Sequence, residues 1–212
     1  MDASLSVAFV VTQFKTHLQH AHAKKLTDRV LLAAVATYGD KEMSVRAHLT
    51  LVARGSLFLN EKKGNPVQSS SLCLAALMHD IGKAAVMDNV FGLPRTLSPE
   101  EDIIKRKHTV LGGQICQKLG EPFISVAPWV RGHHESWNGS GYPDGLKGET
   151  IPHALRFLRL ADVIGALRIS RRYRAAFSLE ESFEILQTMQ RNGPVFDPSL
   201  MPFVDDLLAL TK

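Results

Sequence analysis

His79 and Asp80 are adjacent, and they close the apolar run Leu72-Cys73-Leu74-Ala75-Ala76-Leu77-Met78. A stretch of that kind carries its last residues toward the interior, where a carboxylate is costly unless something compensates its charge. A divalent cation held jointly by the imidazole and the carboxylate would be that partner, since imidazole is the commonest metal ligand. Gly82 then releases the chain and Lys83 follows at once, placing a further cation beside the pair. Standing alone, the dipeptide is as compatible with an exposed helix end near a turn.

It does not stand alone. His133-His134-Glu135 leads into Trp137-Asn138-Gly139-Ser140-Gly141-Tyr142-Pro143-Asp144-Gly145-Leu146-Lys147-Gly148-Glu149, and further on come Ala161-Asp162-Val163 and Arg171-Arg172-Tyr173-Arg174. In these residues the sequence resembles the HD-GYP family, a branch of the HD metal-dependent phosphohydrolases. The resemblance runs through His79-Asp80-Ile81-Gly82-Lys83, through the paired histidines and Gly141-Tyr142-Pro143, and through Asp162 with its downstream arginines. It covers most of residues 42 to 200.

The resemblance implies a ligand set and an activity. His79 and Asp80 match the family's metal-binding pair, in which the aspartate bridges two metals. His108, His133, His134 and Asp162 match further ligands, and His48 falls where the family has its first histidine. Five histidines and two aspartates form a nitrogen and oxygen set without thiolate, which suits iron or manganese rather than a cysteine-type structural zinc site. The implied reaction is hydrolysis of cyclic di-GMP by attack of a hydroxide bridging two divalent ions, with linear pGpG as product and further cutting to GMP left open. Two cations lower the pKa of such a water and hold both oxygens of an in-line displacement. Asp80 and Lys83 are the implied catalytic residues. Lys83 is expected to contact the scissile phosphate, Arg171 and Arg174 to reach the other phosphate or a guanine, and Tyr142 to pack beside a base or orient a phosphate. Alternatives that stay open are another cyclic dinucleotide such as cyclic GMP-AMP, and an inactive module that binds cyclic di-GMP or a protein. The resemblance also admits a homodimer and a protein partner of the diguanylate cyclase type.

Departures from the family pattern are visible. Some members hold a third metal through a glutamate one turn before the first histidine, where this chain has Ser44, so two metals are expected. The family usually has an aspartate three residues after Asp162, where this chain has Gly165; loss of such an outer carboxylate weakens the orientation of a ligand. Arg172 stands where a proline is usual between the arginine and the tyrosine.

The elements that must position these residues read as helical. Apolar residues recur at helical spacing and no convincing alternating run of strand formers appears, so an all-α bundle is expected, an HD-domain fold with the GYP loop beside a buried metal site. Two or three helices are expected up to about residue 38, then helices over 42–59, 68–81, from Pro99 through His108 to Gly120, 122–134 and 152–170. Ser98-Pro99-Glu100-Glu101 and Ser178-Leu179-Glu180-Glu181 spell capping boxes, and Asp197-Pro198 opens a last helix through Leu208. Residues 1–40 are expected to be accessory or dimerising and 41–212 to form the phosphodiesterase domain.

Composition bounds the rest. Hydrophobic residues make up 45% and charged residues 22% of the 212 positions, values of a packed domain rather than a disordered one. The net charge of +4 is too small to argue for a DNA or RNA polymer as partner. Neither the run at 72–78 nor that at 30–36 approaches the roughly 20 residues of a membrane span. No basic residue precedes the apolar stretch at the N-terminus, so a cytoplasmic location is expected. Cys73 and Cys116, the two cysteines, sit in apolar helical patterns and are expected to be reduced and structural. His17, His20 and His22 have no acid at matching spacing, and His153 at a helix start reads as structural.

Overall fold

The computed structural model describes residues 3–38, 44–86, 90–91, 93, 95–170 and 174–211. Among them nine α-helices form and no β-strand does. They are α1 (Ala3–His20), α2 (Leu26–Tyr38), α3 (Ser44–Lys62), α4 (Ser69–Met78), α5 (Pro99–Leu119), α6 (Ala127–Gly132), α7 (His153–Arg168), α8 (Leu179–Arg191) and α9 (Val204–Ala209). Short 3-10 turns at Ile81–Ala85, Ile124–Val126, Gly148–Thr150 and Pro198–Phe203 connect them.

Local signals explain several starts. Ser98 and Ser178 accept the amide of Glu101 and Glu181, while those glutamates reach back to the cap amides, so both capping boxes form. Each satisfies two donors that a helix start otherwise leaves open. Three boundaries differ from the sequence expectation. The helix expected to reach Ile81 ends at Met78, and the chain tightens into the 3-10 turn Ile81–Ala85. The helix expected over 122–134 is a 3-10 turn followed by the short α6. The last helix begins as a 3-10 turn because Pro202 lies inside it, has no N–H to give an α-helical bond, and delays regular helix until Val204.

One core cluster joins the helices. α3 packs along α7 and against α4, while α5 packs on α6 and on the turn after α4. The N-terminal pair shares this core: Val7, Val10 and Phe14 of α1 and Val30 and Ala33 of α2 are buried with Leu49, Leu72 and Leu158. Phe14 is fully buried and meets Phe123 edge-on at 5.5 Å, a burial that stabilises by roughly 1.5–3 kcal/mol. Cys116 is buried, which lifts its thiol to about 12, and Cys73 is partly buried and raised for the same reason; neither is a nucleophile at neutral pH. No helix among the described residues is long and apolar enough to cross a membrane.

Candidate active site

Five helices converge on one buried cluster. α3 supplies His48, the turn after α4 supplies His79 and Asp80, α5 supplies His108, the end of α6 supplies His133 and His134, and α7 supplies Asp162. Close backbone contact draws α5 in. A Cβ built on Gly82 would lie 1.9 Å from the carbonyl oxygen of His108 and 2.5 Å from the amide of Gly112, so only glycine lets α5 press on the turn that holds Asp80. With α4 ending at Met78, the chain tightens into the turn that follows Asp80.

Three of the imidazoles are locked alike. Nδ1 of His79, His108 and His133 lies 2.7, 2.6 and 2.7 Å from the carbonyl oxygens of Ala76, Lys105 and Val130, each three residues back. A carbonyl can only accept, so Nδ1 carries the proton and Nε2 is left to face the cluster with its lone pair when the ring is neutral. Each ring uses the backbone of its own segment, three residues back, as the orienting group.

The ligand atoms form two groups, Asp80 with His108, His133 and His134, and His48 with His79 and Asp162, each contained within 4.8 Å. The carboxylates join the groups. Asp80 Oδ1 is 3.6 and 3.8 Å from Nε2 of His108 and His133, and its Oδ2 is 3.3 and 3.9 Å from Nε2 of His79 and His48. Asp162 Oδ1 is 3.2 and 3.7 Å from Nε2 of His48 and His79, and its Oδ2 is 3.8 Å from Nδ1 of His134. Each acid thus turns one oxygen to each group.

The donor set fits divalent ions. Nε2 of His108 and of His133 are 3.4 Å apart, and Nε2 of His48 and of His79 are 3.3 Å apart. With both Nδ1 protons committed elsewhere, the first pair has no hydrogen to share when neutral, and its lone pairs repel unless a cation stands between them. Nitrogens about 2.1 Å from one ion at right-angled or tetrahedral positions lie about 3.0–3.4 Å apart. Burial, and then the charges of His79 and His108, hold His133 near about 3, and burial holds His108 near about 4. Burial and the neighbouring His133 push His134 well below the usual range. These three rings are neutral and ready to ligate. His79 differs: burial lowers it, but Asp80 and Asp162 outweigh burial and lift it to about 10. Burial raises both carboxyls, yet Lys83 and His79 beside Asp80, and His48 and His79 beside Asp162, leave both well below the ordinary aspartate value. The two carboxylates pull a positive charge into the cluster.

Around the cluster stand groups that could handle a substrate. Lys83 donates to Asp80 Oδ2 at 2.5 Å, and its ammonium lies over the ring of Phe91 at 5.5 Å. The Tyr142 ring faces His134 at 4.9 Å and carries the guanidinium of Arg106 over it at 4.8 Å. Glu135, buried, holds the loop that presents Tyr142: its two oxygens accept the amides of Asp144 and Leu146 at 2.7 and 2.8 Å. Arg131 pins the same loop from outside through Asp144. Arg174 donates to the carbonyls of Ala175 and Ala166 and lies over Phe177, none of which belongs to the cluster. Arg171 lies outside the described residues. Trp137 packs under Arg156, and His153 stacks on Phe157. His17 bonds to Thr37, and His20 to the carbonyl of Thr16.

Arg106, Glu135 and Arg159 were not singled out by their residue types. Arg106 reads as one more charge in Lys105-Arg106-Lys107. Arg159 offered a signal: it is a charge between buried Leu158 and Leu160, three residues before Asp162 and so on the same face of α7.

A family profile described as HD domain matches residues 22–200. A probable cyclic di-GMP phosphodiesterase of Vibrio cholerae is 41% identical over 134 residues, 60% of this chain and 30% of that protein. A cyclic di-GMP phosphodiesterase of Thermotoga maritima is 32% identical over 174 residues, 81% of this chain and 46% of that one. A 3'3'-cGAMP-specific phosphodiesterase of Vibrio cholerae is 34% identical over 141 residues, 64% and 27%. The chain therefore spans less than half the length of these relatives. Among solved structures, the HDG"Y"P protein Bd1817 of Bdellovibrio bacteriovorus shares the fold, with a TM-score of 0.62 over 98% of this chain and 71% of that one at 19% identity.

Proposed function

The chain belongs to the HD domain family, with the motifs of its HD-GYP branch, and from that premise we propose that it hydrolyses cyclic di-GMP at a two-metal centre held by His48, His79, Asp80, His108, His133, His134 and Asp162. The observation that carries the reading is the pair of split carboxylates: Asp80 and Asp162 each present one oxygen to each histidine group. Paired ions held so close suit a reaction in which one phosphoryl group is attacked on one side and released on the other.

When bound, two divalent ions, iron or manganese for this donor set, supply an acidified water and neutralise charge on the phosphoryl group. The chain's own residues do the rest. The locked Nδ1–H bonds of His79, His108 and His133 fix the ring orientations in advance, so no reorganisation accompanies the chemistry. Lys83 binds Asp80 in the structure; once a cation engages that carboxylate, its ammonium is free to donate to a non-bridging phosphoryl oxygen. Tyr142, backed by Arg106, offers an aromatic face at the His134 side for a purine. Water adds to phosphorus and the bond to the ribose 3'-oxygen breaks, giving the linear dinucleotide; a second cut gives GMP.

The sequence similarity to a 3'3'-cGAMP-specific enzyme supports a second reading with the same chemistry and a different base. The test is turnover of cyclic di-GMP and 3'3'-cGAMP side by side by anaerobically purified, metal-loaded protein, with products separated by chromatography. Cleavage of cyclic di-GMP at the higher kcat/KM is expected. Preference for cGAMP would shift the assignment, and cleavage of neither would refute it.

A further inference from the structure

Arg159 is a charged side chain beside the cluster whose one hydrogen-bond contact among the described residues is with His134. It is half-buried on α7, between the buried Leu158 and Leu160 in the chain. A guanidinium does not give up its proton, so any of its N–H donors that is shielded from water needs an acceptor. Nε is buried without a partner. Nη1 lies 3.4 Å from Nδ1 of His134, the nitrogen that also faces Asp162. Among the described residues no carboxylate comes within ion-pair distance of it.

Arg156, one turn earlier on the same helix, shows what a structural arginine looks like here. It donates to the carbonyls of Ile151 and Glu149 at 2.6 and 2.9 Å and to Asp197 at 3.1 Å, and it lies over Trp137. The contrast matters because a buried N–H left without an acceptor is destabilising. Donors beside a histidine cluster that have no acceptor of their own are available to a ligand that arrives. Arg159 also stands beside a nitrogen expected to ligate a divalent ion, and two cations that close are stable only with an anion between them.

We infer that Arg159 is a phosphate-binding residue, donating from its guanidinium to a non-bridging phosphoryl oxygen on the His134 side of the site. Lys83 serves the opposite side, at Asp80 Oδ2. The planar fork matches two oxygens of one phosphoryl group, which a lysine could not do. The identity of the substrate rests on the cyclic dinucleotide reading; the anion chemistry does not.

The test titrates inorganic phosphate calorimetrically into manganese-loaded wild-type, Arg159→Gln and Arg159→Lys proteins, with ions per chain counted in each, and then measures turnover of cyclic di-GMP. Ion content should stay at the wild-type value. Phosphate Kd should rise about tenfold to a hundredfold in Arg159→Gln, the range for a lost charged hydrogen bond, and by less in Arg159→Lys, which keeps the charge and loses the fork. Unchanged phosphate affinity in fully loaded protein overturns the inference. So does a fall in ion content with unchanged phosphate affinity in the loaded fraction, which would make Arg159 a positioning residue for His134. If wild-type protein cleaves no cyclic dinucleotide while its phosphate affinity still depends on Arg159, the substrate reading fails and the phosphate contact stands.

Discussion

His48 lies directly against Gly165: a Cβ built on that glycine would be 3.0 Å from Nδ1 of the ring and 3.3 Å from Cε1. The imidazole occupies space that a side chain at 165 would claim, and its Nδ1, unlike those of His79, His108 and His133, has no hydrogen-bond partner among the described residues. Gly165 thus leaves room for His48 to pack directly on α7.

Gly165→Ala tests that relationship. In a helix the change normally stabilises by about 1 kcal/mol. Here the added methyl pushes His48 away from Asp162, so metal affinity should fall roughly tenfold or more while the melting temperature of the metal-free protein holds or rises. Metal titration of both proteins reads this directly; unchanged affinity would show that His48 is not a ligand.

Asp80→Asn keeps the shape of the side chain and removes its charge. Turnover should drop by more than about a hundredfold, with weaker metal binding, because both histidine groups lose a shared anion. Near wild-type rates with metal supplied would contradict the assignment of Asp80.

Glu135→Gln should loosen the loop without touching the ion pair. The buried carboxylate accepts two loop amides, and a charged acceptor of this kind contributes roughly 1.5–3 kcal/mol per bond. A lower melting temperature and a raised KM are expected, with ion content unchanged. A purely structural effect would lower the melting temperature and leave KM alone.

Acid should unfold the metal-free protein early. His108 and His133, held near about 4 and about 3 chiefly by burial, and His134, lower still than its ordinary value, refuse protons that the unfolded chain accepts near 6.5. Below about pH 6.5 the unfolded state therefore binds more protons and stability falls as pH falls. His79 acts in the opposite sense: lifted to about 10 by Asp80 and Asp162 against the effect of burial, it contributes stability that is full below 6.5 and lost as pH rises through 10. Melting curves of chelator-treated protein should peak between those limits, and a flat profile from neutral to about pH 5 would refute the buried, neutral state of the three rings.

Much of this was legible in the chain. His79-Asp80 after an apolar run, the paired histidines and Asp162 could be read because family resemblance ties distant motifs together, and the helices because apolar spacing and the boxes at Ser98 and Ser178 punctuate them. What escaped depends on three-dimensional neighbours. The stop of α4 at Met78 follows from α5 pressing on Gly82, a contact no local pattern shows. Arg106 over Tyr142, Glu135 beneath the loop and Arg159 beside His134 are ordinary residue types whose meaning comes from what faces them. The placing of one Asp162 oxygen toward each histidine group is likewise a matter of side-chain geometry.

Counting ions per chain in anaerobically purified protein, alongside cyclic di-GMP hydrolysis on the same sample, tests the central claim most directly. Two ions of iron or manganese per wild-type chain are expected, with hydrolysis lost as they are removed and restored as they are returned. Full hydrolysis by protein carrying one ion, or none, would contradict it.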